Sequence, residues 1–190
     1  ETPLVGIGAA LVIAGNDKRG TIYGLFHLSE LIGVSPLVNW NHVLPRHQDT
    51  VVLDDRVNMV SRVPSVKYRG FFINDEWPAF GNWAKTHFGS MNAACYAPVF
   101  ELLLRMKGNY LWPAMWNSNF SLDGPGLENA VLADELGVEH LPPRTLYAQR
   151  AGIQHGAGQG FHLRRCLGLH CQPRRHYPLL ARRPDPQQRF

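Results

Sequence analysis

Phe71-Phe72-Ile73-Asn74-Asp75-Glu76-Trp77-Pro78 decides the fold of this 190-residue chain. A continuous apolar run, Phe71-Phe72-Ile73, is the pattern of a strand covered on both faces, and the spacing predicts a strand over residues 66–73. Three polar residues follow it directly, and two of them are acids. Downstream, Cys95, Val99, Leu102, Leu103 and Met106 recur at the i, i+4, i+7, i+8, i+11 spacing of an amphipathic helix. Pro98 reads as its first turn and Gly108 as its end. A second strand is expected over residues 109–115, shortened by Pro113. A second helix is expected over residues 127–136, with Asp123 and Pro125 before it and Gly137 after it. Strand–helix–strand–helix is the signature of parallel βα units.

Residues 1–63 read as a small α/β piece. The Gly-broken apolar run over residues 4–14 has a buried-strand pattern. Asn16-Asp17-Lys18-Arg19-Gly20 is a polar turn. A helix is expected from Thr21, with Ile22, Leu25, Phe26 and Ile32 on its apolar face and Gly33 just past its end. Residues 50–53 suggest another strand. His27 and Glu30 belong to a solvated helix face, and Cys95 to an apolar one, as an inert core residue.

The net charge of +4 joins two unlike halves. Residues 1–138 hold 10 Lys+Arg and 13 Asp+Glu, whereas residues 139–190 hold nine Arg, no Lys and only Glu139 and Asp185 as acids. The basic pI therefore describes the last 52 residues, and it does not support nucleic-acid binding by the rest. Those residues show no apolar periodicity, so disorder is expected there. His162, Cys166, His170, Cys171 and His176 are too loosely spaced for a zinc motif. Gly6 and Gly8 are too little for a phosphate loop. No apolar stretch is long enough to span a bilayer. No signal peptide is visible, and Glu1 in place of a start Met leaves targeting unreadable.

Acids at the C-terminal end of a barrel strand are placed for general acid–base work or for orienting sugar hydroxyls. A purely structural alternative is that Asn74 or Asp75 caps a following turn. The second strand leads into Asn109-Tyr110-Leu111-Trp112-Pro113-Ala114-Met115-Trp116-Asn117-Ser118-Asn119-Phe120. Rings beside amides suit a sugar, whose C–H face packs on the rings while its hydroxyls bond the amides. Buried aromatics in an ordinary core are the alternative there.

Four stretches carry a resemblance. They are Val12-Ile13-Ala14-Gly15-Asn16-Asp17-Lys18-Arg19-Gly20-Thr21-Ile22-Tyr23-Gly24, Leu28-Ser29-Glu30-Leu31-Ile32-Gly33-Val34-Ser35-Pro36, Pro64-Ser65-Val66-Lys67-Tyr68-Arg69-Gly70-Phe71-Phe72-Ile73-Asn74-Asp75-Glu76 and Leu102-Leu103-Leu104-Arg105-Met106-Lys107-Gly108-Asn109-Tyr110-Leu111-Trp112-Pro113-Ala114-Met115-Trp116. Together, over roughly residues 10–138, they resemble glycoside hydrolase family 115, the xylan α-1,2-glucuronidases. The resemblance implies the end of an α/β N-terminal domain (residues 1–63) and the first two βα units of an incomplete (β/α)8 catalytic barrel (residues 64–138). A disordered tail is expected over residues 139–190.

The implied activity is release of glucuronic acid, or its 4-O-methyl ether, from xylan with inversion. Glucuronoxylan or aldouronic acid oligosaccharides would be the partners, with no cofactor, metal, nucleic acid or membrane. A homodimer and an extracellular location are implied for the full-length enzyme. Asn74, Asp75 and Glu76 would lie in the sugar pocket, with Trp112, Trp116 and Asn117 on the same face. The general acid and base are expected on later strands, beyond this chain, which alone is expected to be inactive. Two other function classes follow from the residues: a non-catalytic carbohydrate-binding fragment using Trp77, Trp112 and Trp116, and a nucleic-acid binder using the basic tail.

The pattern departs from the family at Val138, where a Ser-His-His-Glu-Pro-like strand end is due. Residues 139–148 permit codons that, read one base later, give Ser-Thr-Ser-His-His-Glu-Pro-Cys-Met. Residues 139–190 are therefore expected to be a frameshifted reading of barrel sequence, which explains abundant Arg without Lys. Sequencing genomic DNA and transcript across the codons for residues 130–190 tests this. The expected result is a base missing or added near codon 139; an intact reported frame in the transcript contradicts it.

Overall fold

The computed structural model describes residues 10–53, 58–114 and 116–140. The frameshift expected from residue 139 falls, from residue 141 onward, outside the described residues, as do His162, Cys166, His170, Cys171 and His176. The elements run α1 (Lys18–Leu31), β1 (Gly70–Phe72), α2 (Phe80–Phe88), α3 (Ala93–Arg105), β2 (Tyr110–Trp112), α4 (Glu128–Leu136) and β3 (Glu139–His140). The strands form one parallel sheet in the order β1-β2-β3. Gly70, Phe71 and Phe72 register with Tyr110, Leu111 and Trp112, and Tyr110 and Leu111 with Glu139 and His140. Parallel neighbours need crossovers, which α2–α3 and α4 supply.

Helix α3 organises the core. Its Cys95, Tyr96, Val99, Phe100, Leu103 and Leu104 are all buried, and they pack with Leu111, Phe120 and the α4 residues Ala130, Leu132 and Ala133. Asn92 caps α3 by accepting from the Cys95 amide at 3.2 Å. Pro98 lies inside the helix, beyond the first turn expected for it. Cys95 is fully buried, in the core position expected for it, and desolvation pushes its thiol up to about 12.

Helix α1 begins three residues before Thr21, because Asp17 is extended and its carboxylate accepts from the Gly20 amide at 2.7 Å. Gly33 follows with φ 95°, the left-handed conformation that favours glycine. Ile22, Tyr23 and Phe26 pack against the core, and the Tyr23 hydroxyl donates to the Gly108 carbonyl at 2.7 Å. At the end of α4, Lys18 and Arg19 donate to the Asp134 and Gly137 carbonyls, cations placed at the negative end of the helix dipole. Arg19 also pairs with Glu139 at 2.9 Å. His27 and Glu30 lie 4.0 Å apart on the surface.

Several expectations are corrected. Residues 10–14 and 50–53 form no strand among the described residues. The apolar residues of the second stretch find no partner sheet; Val52 is 82% exposed. The first barrel-type strand is three residues long rather than eight, and among the described residues it is not covered on both faces. Helices cover one side of the sheet, while Phe72 and Trp112 stay 43% and 40% exposed and meet edge to face at 5.5 Å. Met106, assigned to the apolar face of α3, is exposed. Residues 139 and 140, read as the start of a tail without a third strand, form β3, and the His140 ring lies 4.6 Å from Phe120. No helix among the described residues is long and apolar enough to cross a membrane.

Candidate functional site at the strand ends

Because β1 and β2 are parallel neighbours, their C-terminal ends open on the same edge of the sheet. The ladder extends one step past the strands, the Ile73 amide donating to the Trp112 carbonyl at 3.0 Å. From there the two segments diverge into the loops that carry the predicted site residues.

Asn74 is half-buried, and its side-chain oxygen accepts from the Asp75 amide at 2.9 Å. Asp75 is 1% exposed. Its Oδ1 accepts from the Trp116 amide at 3.2 Å, and its Oδ2 from the Asn117 and Ser118 amides at 2.6 and 2.7 Å. Three successive backbone N–H groups thus converge on one carboxylate, an anion-binding nest of the kind that turns provide. Glu76, the next residue, is exposed, as are Trp112, Trp116 and Asn117. The structure therefore brings Asp75, Trp116 and Asn117 together and leaves Glu76 on the open side. Trp77 is exposed too, with the Lys85 ammonium 5.8 Å from its ring centre.

Two supports of this edge went unread in the sequence. One is α2, whose first turn packs on the residue 75–77 loop: the Gly81 amide donates to the Glu76 carbonyl at 3.2 Å. A Cβ at Gly81 would collide with the Asp75 carbonyl and crowd the Trp77 indole nitrogen. The readable signal was the glycine itself, four residues after Trp77 inside an otherwise aromatic stretch. The other is the backbone of Ser118, which sequence cannot distinguish from any other amide. Asn109 takes a structural part at the opposite end of β2. Its side chain accepts from the Arg69 amide and donates to the Lys67 carbonyl, both at 2.8 Å. Asn129, buried in α4, donates to the Met91 and Phe120 carbonyls.

Behind the edge lies a second acid. Asp123 is raised to about 6, chiefly by desolvation and further by the charge of Asp75, against a lowering backbone hydrogen bond at Asn119. Its Oδ2 is buried without a hydrogen-bond partner. No group of three or more His, Cys, Asp or Glu able to hold a metal occurs among the described residues.

The fold and this edge define a parallel α/β protein whose strand ends present an acid, an amide and indoles to solvent. The family model of Glycosyl hydrolase family 115 matches residues 61–141, which span β1 through β3. A solved structure described as a novel family GH115 4-O-methyl-alpha-glucuronidase, BtGH115A, with specificity for decorated arabinogalactans, is 34% identical. It matches over 66% of this chain and 17% of its own, with a TM-score of 0.56. No curated protein matches. Both findings support a glycosyl hydrolase family 115 fragment, and the chain spans 17% of the length of that solved relative.

The raised Asp123 carboxyl gives a pH test. Its folded value of about 6 lies above the ordinary value of 3.8, so the folded state binds the proton more tightly. Its contribution to stability is full below about pH 4 and is lost as pH rises through about 6. Asp123→Asn, which keeps the shape and removes the charge, is expected to melt higher than the wild type at pH 7.5. The two melting curves should converge near pH 4. A gap of the same size at both pH values contradicts this.

Proposed function

We propose that the protein to which this chain belongs is an α-glucuronidase. It would remove α-1,2-linked glucuronic acid, or its 4-O-methyl ether, from the side branches of xylan with inversion. The observation that carries the reading is the shared edge of β1 and β2, where Glu76, Trp112, Trp116 and Asn117 stand exposed around a turn fixed by Asp75. An indole packs on the C–H face of a pyranose, and a side-chain amide bonds its hydroxyls. The family match supports a glycoside hydrolase, and the relative's described activity supports a (4-O-methyl) glucuronic acid as the group removed. That relative is described as specific for decorated arabinogalactans, so the polymer backbone is the part of the substrate on which the two readings differ.

A (β/α)8 barrel takes about 250 residues, and β1–β3 with their helices would be its opening units. The exposed sheet face holding Phe72 and Trp112 would then point into the barrel. Inverting hydrolysis needs two carboxyl groups roughly 6.5–9.5 Å apart with a water between them. At this edge Asp75 is spent on backbone amides, and Glu76 is the one exposed acid of residues 74–78 and 112–118, so we read the 190-residue chain by itself as inactive. The acid and base belong to further strands.

The test uses the chain and the full-length gene product side by side, with aldouronic acid oligosaccharides and a glucuronic-acid-decorated arabinogalactan as substrates. Full-length product is expected to release (4-O-methyl) glucuronic acid from the xylan-derived oligosaccharides, and the 190-residue chain to release none. Release by the chain alone refutes its inactivity. Release from the arabinogalactan only refutes the xylan assignment.

A further inference from the structure

The two adjacent acids at the end of β1 do not share one task. We infer that Asp75 is a positioning residue, whose buried carboxylate holds the turn of residues 116–118 so that the Trp116 indole and the Asn117 amide are presented at the strand-end edge. The inference rests on the reading of that edge as a sugar site.

Its geometry is one-sided. Oδ2 receives two hydrogen bonds, at 2.6 and 2.7 Å, and Oδ1 a third at 3.2 Å, all from successive backbone amides more than 40 positions along the chain. The first two have the short length of charge-assisted bonds. With 1% of the residue exposed, a sugar reaches this carboxylate only by displacing the turn. Glu76 is on the open side, where a hydroxyl can meet it. The site thus separates a carboxylate that contacts sugar from one that builds the surface contacting it.

The structure also shows why another side chain fails at position 75. A buried charge is costly unless fully bonded, and three donors left without an acceptor are costly as well. Asn offers one oxygen, so at least one of the three amides would face an N–H. The carbonyl of the same residue has no spare room either, since Gly81 approaches it closely enough to exclude a Cβ. The residue is held from both sides, and the turn inherits that rigidity.

Amide hydrogen exchange and 15N-resolved indole resonances of the 190-residue chain test the inference, with aldouronic acid oligosaccharide as the probe. In Asp75→Asn, exchange at Asn117 and Ser118 is expected to rise about tenfold or more, the loss of a charge-assisted bond being of that order. Leu111 and Phe120 amides should keep their wild-type rates. The Trp116 indole resonance should move, and its response to sugar should be lost. Glu76→Gln should weaken the response to sugar and leave exchange at residues 116–118 unchanged. Unaltered exchange in Asp75→Asn overturns the tie, whatever the sugar does. A loosened turn with an undiminished Trp116 response to sugar overturns the positioning role. A wild-type chain whose indoles ignore sugar, with the turn still loosened by Asp75→Asn, refutes the sugar site and keeps the tie. If Asp75→Asn does not fold, Asp75→Glu carries the same readouts. It keeps the carboxylate and displaces it by one methylene, so a shifted Trp116 resonance with a weakened sugar response is expected, and wild-type values for both overturn the inference.

Discussion

One carboxylate, that of Asp75, joins the two loops on which the strand-end edge depends. A charge buried to 1% exposure is tolerable only because three backbone amides meet it. That requirement works in both directions: the amides fix the carboxylate, and the carboxylate fixes the turn carrying Trp116 and Asn117. The nearness of Gly81 to the Asp75 carbonyl then sets where α2 begins, so the helix, the residue 75–77 loop and the residue 116–118 turn form one unit. Asp123, behind them, bears the consequence: part of its upward shift comes from the Asp75 charge.

The rest of the chain supplies a platform for that unit. Helix α3 lays its apolar face against the sheet and α4, with Tyr96, Phe100 and Phe120 packed ring against ring. Buried polar side chains close the joints. Asn109 ties the entry of β2 to the segment before β1, and Asn129 ties α4 to the start of α3. Helix α1 is anchored from outside through Tyr23, Lys18 and Arg19, and the Arg105 guanidinium lies 4.5 Å from the Phe26 ring centre. Among the described residues, helices cover one face of the sheet, and the Phe72–Trp112 pair marks the other.

Much of this was legible where local chemistry decides structure. Helices α1, α3 and α4 follow their apolar spacing except at Leu25 and Met106, which are exposed, and Gly33 and Gly137 sit past helix ends in left-handed conformations. The order of β1, α3, β2 and α4 followed from alternation. Helix α2 escaped because Gly81 and Asn82 are poor helix formers and Ala79 gives its start no side-chain cap. The apolar runs at residues 10–14 and 50–53 misled because apolarity makes a strand only when a partner edge exists. At the site, position after a buried strand singled out Asn74, Asp75 and Glu76, but nothing in the sequence says which way a carboxylate turns. That depends on amides contributed by the loop after β2, a long-range fact with no side-chain signature.

The measurement that bears most directly on this account is a scalar coupling across the hydrogen bonds themselves, in uniformly 13C,15N-labelled chain. The account predicts couplings from the Asn117 and Ser118 amide nitrogens to the side-chain carboxyl carbon of Asp75, with the weakest from Trp116, in the order of the bond lengths. Absence of coupling at both Asn117 and Ser118 in the folded chain would contradict it.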